Sequence, residues 1–344
     1  MLPRTQLVRI VLWPITAILA FRAATSLDVS MGQPKPDFLN VVLQLSMFYI
    51  AVRTLEWTVQ TKSFIRMARR SSKQNSVLDI LDLVFNVRGC GWNWSQGLYV
   101  PPEIHPTSSR LAFATSNLVS GLKHFFLCVT IHSAVQSFSP KTFGSVDGGT
   151  IFDQSLPLHL RYLRSSIIAT LCAFVIYSAL QTGQHPDQCP PSFDSPWRST
   201  SLRDFWSRRW HQWLRRLFIF GGRPLSLLFG RVGSVIGAFL VSGIWHHVAL
   251  SAMDPSSEMW RMVVPFGMMG VGMIIERAVA GHKTGGRMGW IWTMCWMGLW
   301  GNVMVDGCTR AGMYGGSSIL GSAMPLRRSI EQLVRAFDDY LHAC

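Results

Sequence analysis

The sequence predicts an all-α, polytopic integral membrane protein, with about 7–9 transmembrane helices enclosing a chamber and an amphipathic helix on the cytosolic face. Three observations predict it. Charged residues make up only 15% of the 344, against about 25% in a soluble domain. Apolar runs recur at the length of about 20 residues that a spanning helix needs. Basic residues gather in alternate segments between those runs, as topogenic charges do. The same numbers exclude other classes. Leu, Trp, Phe and Ile are too frequent for disorder. The seven cysteines are scattered, with no Cys-x-x-Cys pair, which argues against a disulfide scaffold or a zinc ribbon.

The predicted spans are Leu7–Ala24, Phe38–Leu55, Leu111–Phe138, Arg161–Thr182, Leu225–Leu250, Trp260–Ala280 and Trp290–Val305. Arg4 and Arg9 precede the first, which lacks a clean small-x-small cleavage site and reads as a retained signal-anchor. Lys123, His124 and His132 interrupt the third, so a shorter or broken helix is expected there. Ala311–Pro325, short and rich in Gly and Ser, reads as a weak eighth span or a re-entrant piece.

Charge sets the orientation. The segment after span two carries Arg53, Lys62, Arg66, Arg69, Arg70 and Lys73 against Glu56. The segment before span five carries Arg198, Arg203, Arg208, Arg209, Arg215, Arg216 and Arg223 against three aspartates. Both read as cytosolic, as does the short loop with His282, Lys283 and Arg287. Ser139–Leu160, with Asp147 and Asp153, and the loop with Asp254 and Glu258 read as lumenal. The N-terminus is therefore expected in the cytosol, with the endoplasmic reticulum as the membrane. The net charge of +14 is then topogenic and suited to anionic headgroups, and nucleic acid is not an expected partner. The sequon at Asn93-Trp94-Ser95 falls on the cytosolic side, where it stays bare. Gln184–Pro196 is polar and Pro-rich and reads as a surface loop.

That loop leads into a predicted helix. Ser201-Leu202-Arg203-Asp204 fits a capping box. At 100° per residue, Leu202, Trp206, Trp210, Trp213, Leu214 and Leu217 share one arc and Arg208, Arg209, Arg215 and Arg216 the other. Such a helix lies in the cytosolic interface with its Trp side toward the bilayer. His211 sits at the border of the apolar arc. Read blandly, this is a surface anchor and the histidine is incidental.

Span five reads VGSVIGAFLVSGIWHHVAL over 232–250. Gly233, Gly237, Ala238 and Gly243 form a small-residue stripe that lets another helix approach closely. An ionisable side chain in a span is costly and points to function. Burial disfavours the imidazolium, so His246 is expected neutral and able to accept a proton. Ser242, one turn earlier, is placed to orient the ring through its hydroxyl. The bland alternative is a His246–His247 pair marking the interface beside Trp245. No acidic or cysteine partner stands at ligand spacing, so no metal is expected.

A neutral buried histidine with a second on a basic helix upstream fits one reaction class. A general base takes the proton of a hydroxyl as it attacks an acyl carbonyl. A basic helix suits a phosphorylated acyl carrier such as coenzyme A. Neither a Gly-x-Ser-x-Gly elbow nor a Gly-rich phosphate loop is present.

Phe205-Trp206-Ser207-Arg208-Arg209-Trp210-His211 resembles the Phe-Trp-x-x-x-Trp-His block of the membrane-bound O-acyltransferase superfamily, wax-synthase-like branch. About thirty residues on, Val241-Ser242-Gly243-Ile244-Trp245-His246 resembles its Ser-Gly-hydrophobic-x-His block. Asn86, Arg88-Gly89-Cys90-Gly91 and Trp92 resemble an Asn-x-Arg-Gly-x-Gly-Trp block of fungal members that acetylate terpenoid and meroterpenoid secondary metabolites. The resemblance covers roughly 80–305, within a single domain of 1–344; 1–75 holds the N-terminal spans and basic segment, and 306–344 a C-terminal segment with Leu333, Phe337 and Leu341 at helical spacing. It implies a catalytic chamber with His246 and His211 as catalytic residues, His247 being a departure from the pattern. It implies Ser242, Trp210, Arg208, Arg209 and Arg88 near substrate, the arginines toward phosphate. Acyl-CoA, acetyl-CoA above all, is the implied cosubstrate, with no bound cofactor, and the acceptor is a lipophilic alcohol. Wax-ester synthesis on long-chain fatty alcohols, and a non-catalytic scaffold or transporter, stand as the rival readings.

Overall fold

The structure, a computed structural model, describes residues 5–32, 38–67, 76–95, 97, 99, 101–103, 105–106, 108–139, 144–182, 191–281, 285–316 and 324–343. The sequence readings at Arg69, Arg70, Lys73, His282, Lys283, 184–190 and 317–323 lie outside these residues. Eleven helices follow one another among them: α1 (Gln6–Ser26), α2 (Phe38–Val59), α3 (Ser76–Phe85), α4 (Arg110–Ser137), α5 (Leu158–Thr182), α6 (Leu202–Asp204), α7 (Arg215–Gly221), α8 (Arg223–Met253), α9 (Trp260–Ala280), α10 (Gly286–Arg310) and α11 (Pro325–Ala343). None of the described residues forms a strand; an isolated bridge joins Arg66 and Trp92.

Six helices, α1, α2, α4, α5, α8 and α9, are long and apolar enough to cross a membrane. Each coincides with a predicted span. The seventh predicted span, Trp290–Val305, lies inside α10, a helix of 25 residues diluted by Gly and Trp that is not among the six. Of the eighth stretch, Ala311–Tyr314 is a turn packed back on the protein, with Tyr314 only 3% exposed. The third span is not broken. Its three polar residues sit in 28 uninterrupted helical residues, because a helix satisfies its own backbone in lipid. His132 places Nε2 3.0 Å from the Tyr314 carbonyl, and Lys123 is exposed.

Large apolar side chains cover the outside. Leu7, Val11, Ile15 and Leu19 of α1 are 76, 69, 54 and 62% exposed, which only lipid tails or a partner would tolerate. Inside, α1 packs on α2, α4 on α5, α8 on α9 and α9 on α10. The small-residue stripe makes the close approaches expected of it. A Cβ at Gly243 would sit 2.7 Å from the Val263 Cα, and one at Gly237 2.7 Å from the Gly222 carbonyl oxygen. Gly230 takes φ +56 beside a non-helical Phe229 and kinks α8, a left-handed conformation glycine adopts at little cost.

Two cores result. One joins α4, α5 and α10 through Val135, Phe138, Ile168, Cys172, Val175 and Val305. The other joins α2, α8 and α9 through Val41, Leu250, Met253, Met262 and Phe266. The second core turns one face of α8 inward and, through Phe266, sets the position of His246. The C-terminal α11 rests on α4, with Leu341 buried and Leu333 exposed.

Candidate active site

The long amphipathic helix expected over 202–217 does not form. Its start behaves as predicted in part: the Ser201 hydroxyl accepts from the Asp204 N–H at 2.9 Å. The reciprocal half of the box is replaced, because Asp204 binds Arg209 instead (2.5 Å). The other first-turn donors go to α9. Glu276 accepts from the Leu202 N–H at 2.6 Å and from the Arg203 N–H at 3.4 Å. A carboxylate at a helix N-terminus is favourable on both hydrogen-bond and dipole grounds. After one turn the backbone widens to a π-turn, Phe205–Arg209, closed by Trp210 N–H to the Phe205 carbonyl at 2.8 Å. The chain then leaves the helix. The buried Gln212 amide donates to the Trp206 and Trp210 carbonyls at 2.9 and 2.7 Å, satisfying groups the break exposes.

The break turns the Trp side into the protein rather than toward lipid. Trp206 packs on Phe239 of α8 and Phe266 of α9, at ring separations of 5.6 and 6.2 Å. Trp210 stacks on Phe205 at 5.4 Å. His211 lies among Phe193, Trp210 and Trp213, at 5.7, 5.6 and 5.9 Å. Pro191, Ser192 and Phe193 are buried, so this end of the predicted surface loop is interior.

His246 stacks on the same Phe266 that Trp206 touches, at 4.3 Å and 23° between planes. Its Nδ1 lies 2.7 Å from the Ser242 carbonyl oxygen. A carbonyl only accepts, so in the neutral ring Nδ1 carries the hydrogen and Nε2 keeps its lone pair. The ring is thus oriented from Ser242 through the backbone, not through the hydroxyl the sequence suggested. His247, next in line, has a buried Nδ1 with no partner.

His211 feels both His246 and Arg88 electrostatically, while its ring contacts are Phe193, Trp210 and Trp213. Burial pushes the His211 imidazole down to about 3, with the His246 ring and the Arg88 guanidinium adding to the effect. His211 is therefore uncharged at neutral pH, with a buried Nδ1 that has no hydrogen-bond partner among the described residues. Neither ring is sealed off: both keep part of their surface accessible. The depressed value has a measurable consequence. The unfolded chain takes up a proton at residue 211 below its ordinary 6.5, and the folded chain does not. Folding stability is therefore lost as pH falls from 6.5, by about 1.4 kcal/mol per pH unit from this group. Thermal unfolding in detergent between pH 6.5 and 5 is expected to show a shallower slope for His211→Asn than for the parent; equal slopes would refute it.

Arg88 reaches this place from a turn in which Gly89 and Gly91 both have positive φ, +68 and +82. A Cβ at Gly89 would lie 2.3 Å from the Trp94 ring, so the spacing Arg-Gly-x-Gly reflects both backbone hand and close packing. Arg88 is 6% exposed and donates to the Pro191 carbonyl at 3.3 Å. The other arginines differ. Arg209 is engaged by Asp204 and by the Asp194 carbonyl (3.0 Å). Arg208 is exposed, with its guanidinium 4.5 Å from the Tyr99 ring centre.

Among the described residues, one cleft lined by Asp147, Asp254, Arg261 and Arg310 and another near α7 open at the surface without His211 or His246 in their lining. The latter, of about 260 Å³, is lined by Glu56, Trp94, Arg215, Arg216 and Arg223 among others. Arg216 bonds Glu56 at 2.6 Å and the Trp94 carbonyl at 2.8 Å. The buried Arg53 pairs with Glu56 on the other side. Sequence reasoning missed Glu276, Gln212 and Phe266; of these only Gln212, directly after the Trp210-His211 block, stood next to a motif.

Comparison with known proteins bears on this arrangement. Residues 189–268 match the membrane bound O-acyl transferase family, a stretch that holds both histidines. The chain is 25% identical over 316 residues to acetyltransferase ple2 of Rhodocybe pseudopiperita, covering 84% of this chain and 81% of that protein. It is 26% identical over 291 residues to acetyltransferase sirH of Emericella nidulans, covering 74% and 67%. Over 107 residues it is 31% identical to a long-chain-alcohol O-fatty-acyltransferase of Simmondsia chinensis, covering 26% and 30%.

Proposed function

We propose that this membrane-embedded O-acyltransferase, whose residues 189–268 belong to the membrane bound O-acyl transferase family, moves an acetyl group from acetyl-CoA to a hydroxyl of a lipophilic acceptor. The observation that carries the chemistry is the His246 ring, held at Nδ1 by the Ser242 carbonyl so that Nε2 keeps its lone pair, with the uncharged His211 coupled to it electrostatically. Nε2 takes the hydroxyl proton while the oxygen attacks the thioester carbonyl; the C–O bond forms, the C–S bond breaks, and the coenzyme thiolate leaves and is protonated. His211 and Arg88 face the carbonyl oxygen as charge gathers on it. The coenzyme phosphates rest against the exposed Arg208 and the arginine-lined cleft, which the Arg88–Trp94 turn connects to His211. Arg209, already paired, holds the π-turn. Acetyl and a fungal terpenoid or meroterpenoid acceptor are favoured over a fatty acyl chain and a fatty alcohol, since the relatives named acetyltransferases match most of the chain and the fatty-acyltransferase a quarter of it. The setting is the endoplasmic reticulum, with the N-terminus and both arginine-rich segments cytosolic, on the donor's side.

The test is direct. Membranes from a host expressing the chain, given acetyl-CoA and a panel of terpenoid alcohols, are expected to yield products heavier by one acetyl unit. Palmitoyl-CoA with hexadecanol is the competing pair, and a preference for it would overturn the acetyl reading.

A further inference from the structure

We propose that a file of aromatic rings running from His211 to His124 is one wall of the acceptor pocket, and that His124 reads a second polar group on the acceptor, remote from the hydroxyl that is acylated. This rests on the acyl-transfer reading above. The file begins at His211 and passes to Phe193 at 5.7 Å, from Phe193 to Tyr177 at 4.9 Å, and from Tyr177 to His124 at 5.4 Å. Each contact is edge-on. The rings come from α4, α5, the segment before α6 and, for His211, the segment between the π-turn and α7, so no helical repeat produces the alignment. Trp197 and Phe174 flank Tyr177, at 5.6 and 6.3 Å.

The file is apolar at its middle and polar at both ends. At the His211 end the partnerless atom is Nδ1. At the other end His124 Nδ1 is likewise buried and without a hydrogen-bond partner among the described residues, as are Ser178 Oγ and Gln181 Oε1, one and four residues along α5 from Tyr177. Ser178 is 0% exposed. A buried polar atom without a partner costs free energy, more so where lipid replaces water. A partnerless histidine nitrogen at each end of one aromatic wall asks for a ligand polar at both ends and largely apolar between. Three ring-to-ring steps suit a compact fused-ring skeleton with oxygens at opposite ends better than an extended alkyl chain with one.

Three probes test this in detergent-solubilised full-length protein with acetyl-CoA: epiandrosterone, a tetracyclic alcohol with a distal ketone; androstanol, the same skeleton without it; and hexadecanol. The wild type is expected to favour epiandrosterone over androstanol by roughly tenfold in kcat/KM, the scale of one buried hydrogen bond. His124→Leu is expected to bring that ratio within about twofold and His124→Gln to retain part of it, with KM for acetyl-CoA unchanged in both. The ratio of two acceptors on one preparation is independent of how much of that preparation is folded, so a purely structural role would leave it fixed. Tyr177→Phe is a second variant for the same ratio. A ratio unchanged in His124→Leu, or a wild type that prefers hexadecanol, overturns the proposal. If acetyl-CoA binds but no probe is acetylated, the acceptor wall falls alone. If acetyl-CoA does not bind, the functional reading beneath it falls as well.

Discussion

Replacing His246 by alanine is expected to lower kcat for acetyl transfer by about 10²–10⁴, the usual contribution of a positioned general base. KM for acetyl-CoA is expected to stay within a few-fold, because in the proposed mechanism the ring takes the acceptor's proton and does not hold the coenzyme. The argument turns on the tautomer. The Ser242 carbonyl at 2.7 Å fixes the hydrogen on Nδ1, so the lone pair of Nε2 is set by the backbone of α8 and not by a side chain. Ser242→Ala should therefore leave kcat within about threefold, whereas a hydroxyl-mediated orientation would make it nearly as damaging as the loss of the ring. Phe266 adds a second control. It stacks on His246 at 4.3 Å and touches Trp206, so Phe266→Leu should loosen the ring and lower kcat without removing the base. A His246→Ala protein that is folded by its melting profile and turns over within tenfold of the parent would show that another group takes the proton.

How much of this the sequence announces depends on the range of the forces involved. The six spans were legible because a hydrophobic run of the right length is a local property, and lipid leaves it little choice but to be a helix. The polar interruptions of α4 misled for a related reason: a helix in lipid tolerates Lys123, His124 and His132 when they find an interface or a partner, and His132 finds the Tyr314 carbonyl 182 residues away. The 202–217 segment shows the limit more sharply. Its wheel is well ordered, yet Glu276 of α9 fixes one end, Gln212 caps the carbonyls at the break, and Asp194 holds Arg209. None of these contacts has a period. Once the chain turns at Trp210, residues that shared an arc on paper no longer share a face, and His211 moves from an interface border to the interior. Arg88 joins it from 123 residues upstream, and only the Arg-Gly-x-Gly spacing gave any sign of it.

Asp338→Ala is expected to destabilise the protein by about 3–5 kcal/mol, the cost of leaving a buried charge without its partner. The charge is Arg164, 0% exposed near the start of α5, whose guanidinium meets both Asp338 oxygens at 2.6 and 3.1 Å. Asp338 is 2% exposed and also accepts from the Ser139 N–H at 3.0 Å. Arg164 in turn donates to the Ser139 and Ile151 carbonyls. One ion pair therefore fastens the amphipathic α11 to the ends of α4 and α5 and to the loop between them. Two comparisons separate this account from a generic loss of packing. Removing both charges together, as Arg164→Met with Asp338→Leu, should recover most of the stability, because an apolar pair carries no desolvation cost. Breaking the exposed Glu331–Arg335 pair on the same helix should cost no more than about 0.5 kcal/mol. Protease cleavage within α11 should accelerate in Asp338→Ala at temperatures where acetyl transfer persists, because the tether lies in the core joining α4, α5 and α10 rather than in the core that seats His246. If cleavage and activity instead fail at the same temperature, the two cores unfold as one unit, and the ion pair holds the site as firmly as it holds the tail.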